Sequence, residues 1–283
     1  MTKAIATISK TNEILKQFSL YAKKNYGQNF IIDPSIVEKI ANNASFTQED
    51  AVIEIGPGIG ALTEQLAKRA KAVYAFEIDE RLLEVLTYSL KDYANVTIIH
   101  QDFLLLDLKS FVDSLKQNYR NIVVCANLPY YITTPILFKI FESKCNIPFI
   151  TVMMQKEVAD RFTASVNSES YNALSVMVQY LYDVKVVMKI PRTIFNPKPN
   201  VDSTVIQFIA KEIQHPVKDQ QRFFDFIKAC FKQRRKTLYN NLRAYLQGDV
   251  EAYLTSCNLD VKIRGQQLTL QQFIELYEVI YEG

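Results

Sequence analysis

From residue 51 the chain alternates short apolar runs with longer segments whose apolar residues recur every three or four positions. AVIEI (51–55) is closed by glycines and precedes the helical ALTEQLAKRA. AVYAFEID (72–79) precedes ERLLEVLTYSLKDY in the same way. VTIIHQD, NIVVCAN and FITVMMQ supply three further strands, with helical stretches between them. This alternation predicts a parallel sheet with helices on both faces, completed by more alternating strands near 184–190 and 204–209. After the polar connection HPVKDQ the texture changes. QRFFDFIKACFKQRRKTLYNNLRAYLQ, DVEAYLTSCNL and LTLQQFIELYEVIY all have helical spacing and little strand signal. The pattern thus predicts an α/β domain over 1–211 and a small all-helical domain over 212–283. Ahead of the sheet, Lys3, Lys10, Lys16, Lys23 and Lys24 face a single acid, Glu13, and read as a basic arm, helical in part.

Composition narrows the classes. With 283 residues, 48% of them apolar and 22% charged, the chain can bury a sizeable core. The net charge of +3 is only mildly basic, so the distribution of charge matters more than its total. Cys125, Cys145, Cys230 and Cys257 are scattered without a Cys-x-x-Cys pair, which predicts reduced thiols in a cytoplasmic protein. His100 and His215 are the two histidines, and with no Cys/His cluster no metal site is expected. The N-terminal stretch lacks a signal-peptide core and no run approaches the length of a membrane span, so no membrane role is expected.

Candidate chemistry lies at the strand ends. VIEIGPGIGALTE places Gly56, Gly58 and Gly60 between a strand and a helix. Such a turn lets a ligand approach the backbone closely at the carboxyl edge of a doubly wound sheet. Its spacing is G-x-G-x-G, not the dinucleotide G-x-G-x-x-G. Glu77 ends the second strand, where a carboxylate can accept from both ribose hydroxyls or simply be solvated. Asp102 ends the third, beside Phe103. That pair can hold an adenine amino group and pack on its face, or Asp102 can cap a turn. Together the acids fit an adenosine lying across the sheet edge, which suits S-adenosylmethionine as well as NAD.

The fourth strand ends in VVCANLPYYITTP (123–135). An exocyclic amine on a base is a poor nucleophile because its lone pair is delocalised into the ring. Acceptors aimed at its N–H groups favour pyramidal geometry and free that pair. The Asn127 side-chain oxygen and the Leu128 carbonyl are such acceptors. Pro129 restricts Leu128 to an extended conformation, and Tyr130 offers a face for stacking a base. No general base is needed. The alternative is a strand followed by a proline turn. Nothing in this chemistry assigns Tyr131.

Eight segments carry a resemblance: KKNYGQNFIID (23–33), EIGPGIG (54–60), FEID (76–79), QDFLLLD (101–107), NLPYYITTPIL (127–137), MMQKEVADRF (153–162), FNPKPNVDS (195–203) and FKQRRKTLYNNL (231–242). In this order they resemble the KsgA family of small-subunit rRNA adenine N6-dimethyltransferases, nearly end to end. The resemblance implies a class I S-adenosylmethionine-dependent methyltransferase fold, Rossmann-like, with a small helical C-terminal domain. It implies dimethylation of two adjacent adenosines near the 3′ end of 16S rRNA, in small-subunit precursor particles, by a cytoplasmic monomer. By family matching Asn29, Ile31, Gly56, Glu77, Asp102 and Asn127 would line the S-adenosylmethionine site, with Gln28, Gly58 and Phe103 as neighbours. Phe195 would join Tyr130 in sandwiching the target adenine; the residues alone allow a core aromatic in a Pro-stiffened loop instead. The chain departs from the family pattern at Asn172 and Ala173, where a Gly and a polar or basic residue are usual. It departs again at Ile31, where Leu is common.

Between Asp225 and Asp249 there is no acid, while Lys228, Lys232, Arg234, Arg235, Lys236 and Arg243 fall in the interval. With Lys23 and Lys24, the cluster Arg234–Lys236 is the expected phosphate-contacting surface. The competing readings are a macrolide-resistance-type methyltransferase of large-subunit rRNA, an NAD-dependent oxidoreductase, and a non-catalytic RNA-binding protein of the same fold.

Overall fold

The structure, a computed structural model, describes residues 3–20 and 29–281. Gln28, Lys23 and Lys24 lie outside the described residues. By internal contacts the chain divides into two compact units, one of residues 1–159 and 185–210, the other of 160–184 and 211–283.

The described strands are β1 (Phe30–Ile31), β2 (Ala51–Ile55), β3 (Ala72–Glu77), β4 (Val96–His100), β5 (Ile122–Asn127), β6 (Phe149–Gln155), β7 (Tyr182–Ile190), β8 (Phe195–Asn196) and β9 (Ser203–Ala210). Seven form one sheet in the order β4-β3-β2-β5-β6-β9-β7. β2 pairs in parallel with β3 and β5, β3 with β4, and β5 with β6, whereas β9 runs antiparallel to β6. The chain therefore starts near the centre at β2, moves outward through β3 and β4, and crosses back to β5 and β6. The reversal falls between β2 and β5, and in open sheets a ligand crevice forms outside the carboxyl ends of the strands at such a point. All five residues of β2 are buried, as a central strand covered on both faces requires; β4, at the edge, is partly exposed.

The helices of the first unit are α1 (Ile8–Gln17), α2 (Pro34–Asn42), α3 (Ala61–Ala67), α4 (Arg81–Ser89), α5 (Leu108–Leu115), α6 (Thr133–Glu142) and most of α7 (Lys156–Phe162). α1 is not a loose arm. Thr11 and Ile14 are buried, and the Ile5 N–H donates to Glu64 Oε2 at 3.1 Å, which draws the segment into the core. β1 and β8 form a separate antiparallel ribbon, Ile31 opposite Phe195, too short for any periodicity to announce.

The second unit holds α8 (Ala173–Leu181), α9 (Gln220–Cys230), α10 (Leu238–Arg243), α11 (Val250–Ser256) and α12 (Leu270–Tyr281). Here the sequence-based division at 211/212 needs correction, because residues 160–184 belong with the helices. α8 buries an apolar face against α9 and α12, with Tyr180 and Phe223 at 5.1 Å and Phe223 and Tyr277 at 5.2 Å between ring centres. The stretch of helical spacing over 221–247 forms two helices, with a break after Cys230. The buried Asn241 amide donates to the carbonyls of Cys230 (3.1 Å) and Gln233 (3.2 Å), and its oxygen accepts the Gln233 N–H at 3.0 Å. These bonds replace helical ones, and Arg234–Lys236 sit in a turn.

Candidate active site

One cleft opens at the carboxyl edge of the sheet, at the reversal between β2 and β5. It gathers Asn29, Ile31, Gly56, Gly58, Glu77, Asp102, Phe103 and Asn127 to Tyr130 around a single space. Backbone conformation explains the glycines at the end of β2. Gly56 has φ +70° and Gly58 +62°, values that side chains other than hydrogen strain to adopt. A Cβ on Gly56 would lie 3.3 Å from Pro129 Cγ, so the turn after β2 touches the turn after β5.

The acids are held differently. Glu77 is buried, and its Oε1 accepts the N–H groups of Ile78 (2.9 Å) and Asp79 (2.8 Å). Burial pushes its carboxyl above the usual range, while these bonds and the Gly58 N–H pull it back. Asp102 Oδ1 accepts the Leu104 N–H at 2.8 Å, so it does cap a short turn, and it faces the cleft as well. A carboxylate has two oxygens, and capping leaves Oδ2 for a ligand. Phe103 is fixed edge-on to Phe76 with ring centres 5.6 Å apart.

Sequence reasoning missed Glu54, on β2, which also lines the cleft. It is 1% exposed, and neither its Oε2 nor the neighbouring Thr63 Oγ1 completes a hydrogen bond among the described residues. Burial pushes its carboxyl up to about 8, with the nearby Glu77 charge adding to the rise and the Thr63 hydroxyl opposing it. The signal was a charged residue inside the otherwise apolar AVIEI.

At the end of β5, Asn127 pairs in register with Met153 of β6. The Leu128 N–H continues that pairing to the Met153 carbonyl at 3.1 Å. The Pro129 carbonyl is taken by the Ile132 N–H (3.2 Å) and the Thr133 hydroxyl (3.0 Å). Among the described residues no hydrogen bond reaches the Asn127 amide or the Leu128 carbonyl. Two acceptors thus stand side by side at the cleft without a protein partner. Tyr130 is half-buried beside them, and Tyr131, 49% exposed, lies at the rim.

Phe195 does not join this lining. It is 3% exposed and packs in the same buried core as Ile31, its partner across the β1–β8 ribbon. The basic cluster is also qualified: Arg234 Nη2 donates to the Glu169 carbonyl and Nε to Gln266 Oε1 at 3.4 Å, so this arginine is engaged within its unit. Arg235 and Lys236 are exposed. The described residues hold no cluster of metal-ligating side chains and no helix long and apolar enough to cross a membrane.

Comparison with known proteins agrees with this architecture. The chain is 48% identical to the Ribosomal RNA small subunit methyltransferase A of Bacillus pumilus over 290 residues, covering 100% of this chain and 99% of that protein. The dimethyladenosine transferase of Plasmodium falciparum superposes with a TM-score of 0.71 at 25% identity, covering 87% of this chain and 95% of that one. The 23S rRNA methyltransferase ErmE superposes with a TM-score of 0.67 at 26% identity, covering 89% and 99%. The fold is that of the class I methyltransferases. Residues 20–282 match the family described as Ribosomal RNA adenine dimethylase, and the chain belongs to that family.

Proposed function

We propose that the protein dimethylates the N6 amines of two adjacent adenosines near the 3′ end of 16S rRNA, in small-subunit precursor particles, with S-adenosylmethionine as donor. The observation that carries the reading is the pair of unpartnered acceptors, the Asn127 amide oxygen and the Leu128 carbonyl, beside the ring of Tyr130. Acceptors left open by the fold are preorganised for the N–H groups of an incoming amine, and drawing on those hydrogens makes the nitrogen lone pair available. Tyr130 stacks the base, a contact worth about 1–3 kcal/mol in single-stranded recognition. In this conformation the ring of Tyr130 does so without Phe195.

The donor's place is supported by chemistry on the other side of the reversal. In this reading Glu77 takes the ribose hydroxyls, Asp102 Oδ2 an adenine amine, and Phe103 the adenine ring, all three lining the same cleft. The buried, unsatisfied Glu54 fits a ligand that brings positive charge, since a cation offsets the cost of ionising it. When bound, S-adenosylmethionine supplies an electrophilic methyl on a sulfonium. The residues on either side of the cleft would hold donor and acceptor next to each other, and much of the rate would come from that placement.

The test is methyl transfer from S-adenosylmethionine to purified small subunits lacking the modification, followed by mapping of the modified bases. Two neighbouring dimethyladenosines near the 3′ end support the reading. Modification of large-subunit RNA instead would favour the ErmE-like alternative, against which stands the far higher identity to the small-subunit enzymes.

A further inference from the structure

Stacking uses only the ring of Tyr130, and a phenylalanine would offer the same face. The phenol oxygen, however, lies 2.7 Å from Ser203 Oγ. Ser203 is 1% exposed and opens β9 in register with Gln155, the last residue of β6. A hydroxyl buried that deeply needs a partner, and the tyrosine provides it. Burial pushes the Tyr130 phenol above its ordinary range, so it stays protonated and can serve this bond at any working pH.

Both ends of the link are anchored. On one side, the Asp202 carbonyl accepts the Lys156 N–H at 3.0 Å, and the Asp202 carboxylate accepts the Arg192 N–H at 2.9 Å. Arg192 Nη1 donates to the Asn200 carbonyl at 2.8 Å, closing the 192–202 loop on itself. On the other side, the turn after Pro129 is fixed by its carbonyl's two bonds. Between these anchors the tyrosine side chain has two torsions, and a bond at the far tip of the ring governs both.

We propose that Ser203 is a positioning residue for methyl transfer: by holding the Tyr130 hydroxyl it sets the plane of the ring on which the target adenine stacks, and so aims the N6 amine at Asn127 and Leu128. This rests on the function proposed above, in which Tyr130 carries the base. Small misplacements of a reacting group are costly, so losing the bond should slow transfer by about tenfold without changing how tightly either substrate is held.

The experiment is single-turnover methyl transfer to unmodified small subunits by Ser203→Ala, Tyr130→Phe and the double variant, with thermal unfolding of each. Each single variant is expected to lose about tenfold in rate, and the double variant no more than either, with S-adenosylmethionine affinity and half-saturating subunit concentration unchanged. A wild-type rate for Tyr130→Phe overturns the proposal, even if Ser203→Ala proves too unstable to assay. Losses that multiply in the double variant overturn it too, since the two hydroxyls would then act separately. Tyr130→Ala separates the layers. If it slows transfer while the other two do not, the hydroxyl anchor alone falls; if it too has no effect, the stacking reading falls with it.

Discussion

At the end of β5 the Asn127 amide reaches a cleft with no hydrogen-bond partner among the described residues, whereas in the helical unit the Asn241 amide makes three hydrogen bonds and closes a helix break. The same side chain is spent on the fold in one unit and withheld from it in the other. The contrast extends beyond the asparagines. Glu54 Oε2 and the Leu128 carbonyl, both on residues that line the cleft, have no hydrogen-bond partner among the described residues, while in the second unit the Tyr171 hydroxyl is bound to the Leu268 carbonyl at 3.1 Å and the Tyr180 hydroxyl accepts the Val217 N–H at 3.1 Å. A polar group left unsatisfied costs stability, so its persistence in a native fold points to a ligand that satisfies it. Groups that are satisfied internally point to rigidity.

Substitution of the two asparagines is the strongest way to break this comparison. Asn127→Ala should cut single-turnover methyl transfer by about 10²–10³, the range seen when one preorganised polar group is removed, with an unchanged melting temperature. Near-normal turnover would remove the amine-activation reading. Asn241→Ala should do the reverse, lowering stability by about 1–3 kcal/mol in a denaturant titration because the Cys230 and Gln233 groups lose their partner. Its S-adenosylmethionine affinity should remain that of the unaltered protein.

Glu54 sharpens the comparison through pH. Its carboxyl ionises at an ordinary 4.5 in the unfolded chain and at about 8 in the fold. The folded protein therefore retains a proton that the unfolded chain has lost, and its stability falls as pH rises through that window. Glu54→Gln removes this share of the slope. It should raise the melting temperature of the free protein at pH 8 and leave it unchanged at pH 4.5, while weakening S-adenosylmethionine binding by about tenfold at pH 8. Tighter binding in the variant would show that the buried acid opposes the ligand.

The smallest effect is expected in the basic turn. Arg235→Ala or Lys236→Ala should lower the slope of log affinity against log salt by about 0.7–0.9 for each phosphate no longer neutralised, with stability changed by less than about 0.5 kcal/mol. Arg234→Ala should also lower the melting temperature, because the Glu169 carbonyl loses its donor. Equal melting curves for all three would make Arg234 no more structural than its neighbours.

The large elements were legible because their burial is periodic. AVIEI and FITVMMQ read directly as β2 and β6, and the acids at the ends of β3 and β4 were visible as charge after an apolar run. What escaped depends on contacts between residues far apart in the chain. The β1–β8 ribbon is two residues long in each strand and has no pattern of its own, yet it carries the buried Phe195. The helix break after Cys230 is made by Asn241, eleven residues on, and a local helical rhythm cannot report it. Glu54 was hidden because a single charge in a strand is easily read as an irregularity. The link between Tyr130 and Ser203 joins positions seventy-three apart, and no spacing rule connects them.

Gly56 carries a consequence of its own. Its missing side chain faces the turn after β5, where a Cβ would stand 3.3 Å from Pro129 Cγ. In the proposed function, the turn that would hold the donor and the turn that would hold the acceptor meet at this contact. One methyl group inserted there would act as a shim, pressing on Pro129 and shifting the turn that carries Asn127, Leu128 and Tyr130 by a few tenths of an ångström.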